Sequence, residues 1–149
     1  MRPLAILLLA ALSALAPGSP LPPLTLADQH DVPVTVGPTT RVILFTRDMD
    51  AGAIVKETLA DNGALLGRAQ ALYVSDISGM PSLVANMFAV PAMRNRPYRM
   101  MLDRDGRATA DFPSEAGKVT LLRLTDLRID SIAYLDSAAA LRAALEASQ

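Results

Sequence analysis

Hydrophobic and polar positions along this chain form a pattern that predicts an α/β fold. Apolar residues alternate with polar ones at 24–26 and 32–36, which predicts the two strands of a β-hairpin joined by the polar turn Asp28–Asp31. A continuous apolar run at 42–45 is typical of a strand that is covered on both faces, and a second such run follows at 71–74.

A helix is predicted between these two buried strands. Asp48 or Asp50 can cap its N-terminus, and Asn62-Gly63 is expected to end it, with the glycine in a left-handed conformation. Residues 64–70 are expected to form a loose connection. Two buried strands joined by a helix imply a parallel crossover within one sheet.

The next stretch predicts a second helix and another hairpin. The helix starts at Met80-Pro81 and ends before Pro91. Residues 98–102 read as a strand, and Asp103–Gly106 is a strong turn signal that predicts a return strand through 107–112. The helix is expected to bury one apolar face, made by Leu83, Val84, Met87 and Phe88.

The C-terminal part adds two strand-like runs, 119–124 and 129–135, and a last helix capped by Asp136 or Ser137. The element order therefore predicts a mixed sheet flanked by helices, with an N-terminal β-hairpin and an extra C-terminal strand pair. Residues 24–149 are expected to form this single domain.

The N-terminal residues predict export. Arg2 followed by an apolar run is typical of a signal peptide, assigned here to residues 1–18, and residues 19–23 form a proline-rich lead-in. The expected location is periplasmic or secreted, without membrane contact after cleavage. A formal net charge of −1 gives no reason to expect nucleic acid as a partner. The chain has no cysteine, so thiol chemistry is excluded.

Three stretches of this sequence resemble the thioredoxin fold in its exported, peroxiredoxin-like branch. They are LTLADQHDVPVTV, RVILFTRDMDAGAIVKETL and RNRPYRMMLDRDGR, within residues 24–112. The resemblance implies that Pro97 corresponds to a cis-proline facing the start of the first helix. It also places residues 49–52, within one residue, where redox members carry Cys-x-x-Cys. Because that motif is missing, the resemblance favours a binding or accessory role without redox chemistry.

The chain also resembles a group of small exported bacterial proteins that share DQHD, RDM, DIS-x-MP and MR-x-x-PYR segments. Some of them are described as FAD/FMN-containing dehydrogenases. A small flavin-associated oxidoreductase is therefore the alternative function that this second resemblance implies. The sequence has no G-x-G-x-x-G after a strand, and no cofactor is predicted from the residues themselves.

The candidate binding surface joins the turns at 47–52 and 75–81 with the loop at 94–98. Arginine side chains suit carboxylate or phosphate, and a helix start offers free N–H groups, so a small anion or an acidic peptide of an unknown periplasmic protein is the predicted partner. The same charges can instead pair with one another on a solvated surface. The predicted ligand-binding residues are Arg47, Asp48, Met49, Asp50, Asp76, Arg94, Arg96, Pro97 and Tyr98.

Two further interpretations of these residues stay open. Asp48, Asp50 and Asp76 have no catalytic spacing and are more typical of caps and turns, so no catalytic residue is assigned. Met49, Met80 and Met93 could converge as thioether ligands for Cu(I), which would make the protein a copper carrier. Packing is the usual role of methionine. The single histidine, His30, is expected in a surface turn.

Overall fold

The computed structural model describes residues 14–149, so the first 13 residues of the predicted signal segment lie outside the described part. The strands are β1 Thr25–Ala27, β2 Pro33–Thr35, β3 Val42–Thr46, β4 Ala71–Asp76, β5 Met101–Asp103, β6 Val119–Thr125 and β7 Arg128–Leu135. The helices are α1 Met49–Leu59, α2 Ala64–Arg68, α3 Ser82–Val84, α4 Val90–Met93 and α5 Ala138–Glu146. None of these helices is long and apolar enough to cross a membrane.

A five-stranded mixed sheet forms the centre of the molecule, in the order β5-β4-β3-β6-β7. β3 pairs in parallel with β4, which confirms the predicted crossover through α1, and β4 pairs in parallel with β5. β6 is antiparallel to both β3 and β7. The predicted β-hairpin forms a separate two-stranded sheet from β1 and β2. The predicted fold class is therefore confirmed.

Two apolar cores cover the two faces of the sheet. On one face, α1, α2 and α5 pack against β3, β4 and β6, with Val55, Leu59 and Leu141 fully buried. On the other face, the N-terminal hairpin covers Phe45 and Leu122. The continuous apolar sequence of β3 follows from this arrangement, because its side chains enter both cores in turn.

The proline-rich lead-in runs along β7. The N–H of Gly18 donates to the carbonyl of Ile129 at 2.7 Å, and the N–H of Leu21 donates to that of Leu127 at 2.7 Å. Leu15 and Leu21 are buried in the core beneath the hairpin. Residues 14–23 are thus attached to the domain in this structure, although the sequence places Leu15 inside the predicted signal peptide.

The predicted helix between residues 80 and 91 differs from expectation in shape and orientation. It is divided into α3, a π-helical turn at Ala85–Ala89 and α4, and Pro91 lies inside α4 rather than after it. Proline lacks an N–H and its ring excludes the carbonyl four residues earlier, so an ordinary α-turn is disfavoured here. The apolar face expected to be buried is exposed, and this segment buries Ala85 and Val90 instead.

The predicted return strand at 107–112 is also wrong. The turn itself is present, with Gly106 at φ 75°. However, the fully buried carboxylate of Asp103 accepts hydrogen bonds from the Gly106 N–H, the Thr109 N–H and the Thr109 hydroxyl, at 3.1, 2.9 and 2.6 Å. These bonds fold residues 103–109 back on the end of β5, so the hairpin of this sheet is formed by β6 and β7 instead.

The expected role of Gly63 is wrong as well. Its φ is −61°, and residues 64–68 form the short helix α2 instead of a loose connection. Glycine is needed here because a Cβ would lie 2.1 Å from the carbonyl oxygen of Pro97. Gly63 therefore allows α2 to approach the loop before β5, and it has no special backbone conformation.

Candidate functional site

A cavity of about 520 Å³ opens between the start of α1, the end of β4 and the loop at 93–100. In a sheet with parallel strands, this carboxyl edge of β3 and β4 is where ligands usually bind. The lining is mostly apolar. Its members are Arg47, Asp48, Met49, Gly52, Ala53, Lys56, Tyr73, Ser75, Asp76, Ile77, Gly79, Met80, Met93, Arg96, Tyr98 and Met100.

Arg47 reaches this edge but its guanidinium already has partners. It donates hydrogen bonds to the carbonyls of Thr109 and Phe112 at 2.7 and 3.2 Å, and to the hydroxyl of Ser114 at 3.0 Å. It also forms an ion pair with Asp76, with Nε 3.4 Å from Oδ2. Arg47 therefore fastens residues 109–114 to the end of β3, and most of its hydrogen-bonding capacity is used.

Asp48 connects the helix start to the loop before β6. One carboxylate oxygen accepts from the Ala51 N–H at 2.8 Å, which caps α1, and the other accepts from the Gly117 N–H at 2.8 Å. An anion at the start of α1 would have to compete with this carboxylate. The helix start is thus less open to a ligand than the sequence suggested.

Pro97 does not face the start of α1. Among residues 14–149 every peptide bond is trans, so the cis-proline implied by the resemblance is not present. Pro97 packs against Gly63, outside the cavity. Gly117 contacts the α1 start instead. The strand that follows Pro97 is β5, which lies at the edge of the sheet.

The polar turn of the N-terminal hairpin holds the cavity wall. Gln29, which is fully buried, donates from Nε2 to the carbonyl of Tyr98 at 2.7 Å and accepts at Oε1 from the Met100 N–H at 2.9 Å. Its own carbonyl accepts from Nε of Arg94 at 3.0 Å. The wall at residues 93–100 lacks regular secondary structure over most of its length, and Gln29 supplies part of its hydrogen bonding.

Asp28 and Asp31 complete this contact between hairpin and wall. Asp28 is buried, accepts from the N–H groups of His30 and Val32, and pairs with Arg99 at 3.3 Å. Asp31 lies 3.7 Å from both Arg94 and Arg104. In the arginine cluster of residues 94–104, three members, Arg94, Arg99 and Arg104, therefore pair with hairpin carboxylates. This agrees with the alternative that these charges pair with one another.

Arg96 differs from the other arginines of this cluster. It is half-buried and lines the cavity, and no carboxylate among residues 14–149 lies within 4.0 Å of it. Lys56 on α1 lines the cavity as well and is exposed. Within the described part of the chain, Arg96 and Lys56 are therefore the cavity cations without a carboxylate partner, and a bound anion could pair with them.

Buried hydroxyl groups form the floor of the cavity. Tyr73 shares a hydrogen bond with the Thr46 hydroxyl at 2.9 Å, and Thr46 donates to Ser75 at 3.2 Å. Burial raises the pKa of Tyr73 to about 12, because the phenolate would lose its hydration. Burial also raises the pKa of Tyr98, whose ring centroid lies 6.2 Å from that of Tyr73. Both phenols therefore stay neutral donors at physiological pH.

Four of the seven methionines line this one cavity. Met49, Met80 and Met93 line the same cavity, as the copper hypothesis requires. Met100, the residue before β5, lines it as well. Met49 is largely exposed, at 79%, while Met100 is buried. Residues 14–149 contain no group of three or more His, Asp or Glu side chains that could hold a metal ion.

The structure brings six of the nine predicted binding residues to the cavity and leaves three outside it. Asp50, Arg94 and Pro97 do not line it; the other six do. Sequence reasoning missed Lys56, Tyr73 and Met100 on the lining, and Gln29 behind it. Nothing in the sequence indicates that Gln29, in a polar turn, is buried. Tyr73 could have been predicted, because it lies in a predicted strand that ends at this edge of the sheet.

Comparison with solved structures identifies the fold. Peroxidoxin BcpB from Mycobacterium tuberculosis superposes with a TM-score of 0.60 at 16% identity, covering 90% of this chain and 96% of that one. A putative thiol:disulfide interchange protein DsbE from Chlorobium tepidum gives 0.60 at 12% identity, covering 90% and 95%. This is a thioredoxin-like fold without cysteine.

A putative protein disulfide isomerase from Bacteroides thetaiotaomicron is similar as well, with a TM-score of 0.59 at 13% identity, covering 89% of this chain and 87% of that one. At these identities the likeness shows the thioredoxin-like fold alone. Neither a protein-family model nor a curated protein sequence matches the chain. The fold by itself does not determine the function.

Proposed function

We propose that this thioredoxin-like protein is a binding module without redox chemistry, and that its cavity accepts an acidic group attached to an apolar body. Such a ligand is either a small amphipathic carboxylate or an acidic, apolar segment of a partner polypeptide. The observation that carries this proposal is Arg96, an arginine without a carboxylate partner among residues 14–149, beside a mostly apolar cavity whose lining includes four methionines and two tyrosines.

The size and lining of the cavity support a ligand of this kind. A volume of about 520 Å³ lies within the range of ordinary small-molecule sites, which are mostly apolar with a few polar groups. Methionine side chains adapt to different apolar shapes. The Tyr73 and Ser75 hydroxyls line the cavity and are joined by hydrogen bonds through Thr46, which gives the mostly apolar lining a polar patch.

The charges around the cavity favour an anion over a cation. Arg47, Lys56 and Arg96 line it, against Asp48 and Asp76. Asp76 pairs with Arg47, and both oxygens of Asp48 accept backbone hydrogen bonds. An arriving carboxylate would therefore find Arg96 and Lys56 without internal competitors, and guanidinium forks suit carboxylates.

The predicted signal peptide supports a periplasmic or secreted location for this activity. Thiol exchange with a partner is excluded by the sequence alone, since the chain contains no cysteine. We therefore expect binding that leaves the ligand chemically unchanged. The partner polypeptide, if the ligand is one, would be an exported protein.

Calorimetric titration with decanoate tests the proposal. Decanamide has the same apolar chain without the charge, and serves as the matched ligand. We expect decanoate to bind about tenfold more tightly than decanamide, since a hydrogen-bonded charge contributes on the order of 1.5 kcal/mol. Arg96→Gln should remove this preference, because it takes away the free guanidinium.

Arg94→Gln is the control variant, since Arg94 lies two residues away, carries the same charge and points to Gln29 and Asp31. It should leave the decanoate preference within about twofold of the original protein, which is less than 0.5 kcal/mol. Equal affinity of decanoate for the original protein and for Arg96→Gln would contradict the proposal, provided circular dichroism shows both proteins folded.

Copper carriage is the second candidate, and the convergence of Met49, Met80 and Met93 on one cavity favours it. The positive charges of Arg96 and Lys56 oppose it. Native mass spectrometry after Cu(I) loading tests this role: one retained ion, lost in Met80→Ala/Met93→Ala, would establish it and displace the anion proposal. The flavin alternative stays a prediction, and the visible absorbance spectrum of the purified protein tests it.

A further inference from the structure

Residues 81–89, here called the projecting segment, expose an apolar surface beside the cavity. Leu83, Val84, Met87 and Phe88 are 69, 44, 58 and 66% exposed. They follow one another at helical spacings of three and four residues, so they lie together on one side of the helix. Monomeric proteins rarely leave such a cluster uncovered, and patches of this kind mark contact sites.

The charges next to the projecting segment are positive. No ionisable side chain occurs from Ile77 to Met93. Arg94 and Arg96 follow directly, and Arg104 donates a hydrogen bond from its guanidinium to the Asn86 side chain at 2.9 Å. Asp31 is the carboxylate paired with Arg94 and Arg104 within the described chain, so positive charge is in excess there.

We propose that the projecting segment is a peripheral membrane contact, which inserts its apolar side chains at the surface of an anionic phospholipid bilayer. Exposed Leu, Val, Met and Phe side chains on a short helix can enter the boundary between headgroups and acyl chains. The bordering arginines then lie at the depth of the headgroup phosphates, which attract them. A fluid bilayer can also accommodate a convex helix, because the lipids rearrange around the inserted side chains.

A second copy of this chain suits the same surface less well. In a two-fold symmetric contact each projecting segment would meet its own copy, so Arg94, Arg96 and Arg104 would approach the same three arginines. Like charges at close range oppose such an interface. A protein groove would have to match the convex segment in shape, and nothing in the fold specifies that shape.

The sequence predicts no membrane contact after cleavage, and it separately predicts that Leu83, Val84, Met87 and Phe88 are buried. The second expectation is wrong, and the exposure of these side chains is the observation that supports a peripheral contact. The inferred contact does not depend on the proposed cavity ligand, because none of these four apolar side chains lines the cavity. Arg96 is the one residue that borders both surfaces.

Vesicle flotation tests the membrane contact. The probe is a vesicle of phosphatidylglycerol and phosphatidylcholine in equal parts, compared with pure phosphatidylcholine. The protein is used as the exporting cell processes it, with its N-terminus read by mass spectrometry. We expect binding about tenfold stronger to the anionic vesicles, weakened by added salt. Leu83→Ser/Phe88→Ser should weaken that binding by at least about tenfold.

Two matched variants serve as controls. Val32→Ser changes an apolar side chain that is 47% exposed in the N-terminal hairpin, and Arg142→Gln removes a charge on α5. Both should bind anionic vesicles like the original protein, while Arg94→Gln/Arg104→Gln should bind more weakly. Binding that is absent from the original protein, or unchanged in Leu83→Ser/Phe88→Ser, would overturn the inference. So would a concentration-dependent dimer that this double variant abolishes.

Discussion

The cavity wall at residues 93–100 and the projecting segment at 81–89 are neighbours in sequence, but the fold holds them in different ways. The wall is fastened by buried polar contacts, with Gln29 bonded to Tyr98 and Met100. The projecting segment buries only the small Ala85 among its nine residues. An irregular wall that is held this firmly is suited to present fixed groups to a ligand, whereas an exposed apolar helix is suited to contact.

Replacing Gln29 should produce the largest effect on the wall. Gln29→Ala leaves the carbonyl of Tyr98 and the N–H of Met100 without their buried partner, so we expect the free energy of unfolding to fall by about 2–4 kcal/mol. Chemical denaturation measures this change. His30→Ala in the same turn, on an exposed side chain, should change stability by less than about 0.5 kcal/mol. Similar losses in both variants would mean that the turn does not hold the wall.

Raising the pH should weaken the floor of the cavity. The pKa of Tyr73 is about 12 in the folded protein and 10.0 in its unperturbed form, so the unfolded chain releases this proton first. The contribution of Tyr73 to the free energy of unfolding is therefore fully present below pH 10, and it falls by up to about 1.4 kcal/mol per pH unit as the pH rises toward 12. Denaturation at a series of pH values measures the slope. Tyr73→Phe should have a slope that is smaller by about this amount, and an equal slope would contradict the assignment.

Gly63→Ala should displace the wall from the side of α2. Its Cβ would lie 2.1 Å from the Pro97 carbonyl oxygen, which is backbone, so the loop carrying Arg96 must move. We expect a loss of about 1–3 kcal/mol, together with weaker decanoate binding. Gly67→Ala is the matched control within α2, because its Cβ meets no atom within 4 Å. Gly67→Ala should be neutral or slightly stabilising, and equal losses would show that Pro97 yields easily.

The smallest effect on stability is expected in the projecting segment. Phe88→Ser changes a side chain that is 66% exposed, so the free energy of unfolding should change by less than about 0.5 kcal/mol. Thermal denaturation measures it. A loss above about 2 kcal/mol would show that Phe88 is packed in the folded state, and the contrast with the wall would disappear.

The central sheet could be predicted from the sequence because each pattern there has one structural solution. The continuous apolar run of β3 requires cover on both faces, and Ser137 caps α5 as expected, accepting from the Ala140 N–H at 3.1 Å. Leu141 and Leu145, four residues apart on α5, both face the core, as their helical spacing predicts.

The candidate site was harder to predict because long-range contacts decide it. Helical spacing cannot tell which way an apolar face points, and the projecting segment turns that face outward. The sequence of the Asp103 turn is typical of a hairpin, but the buried Asp103 carboxylate accepts a hydrogen bond from the Thr109 N–H and residues 107–112 form no return strand. The partners of Arg47, Arg94 and Arg99 lie far away along the chain, so sequence alone could not separate them from Arg96.

Methionine methyl resonances offer the most direct test of the cavity as a binding site. In a carbon–proton correlation spectrum of methyl-labelled protein, decanoate should shift the signals of Met80, Met93 and Met100, which line the cavity. Met101, which is buried in the other core, and Met87 on the projecting segment should keep their positions. Shifts confined to Met87, or shared equally by all methionines, would contradict binding in the cavity.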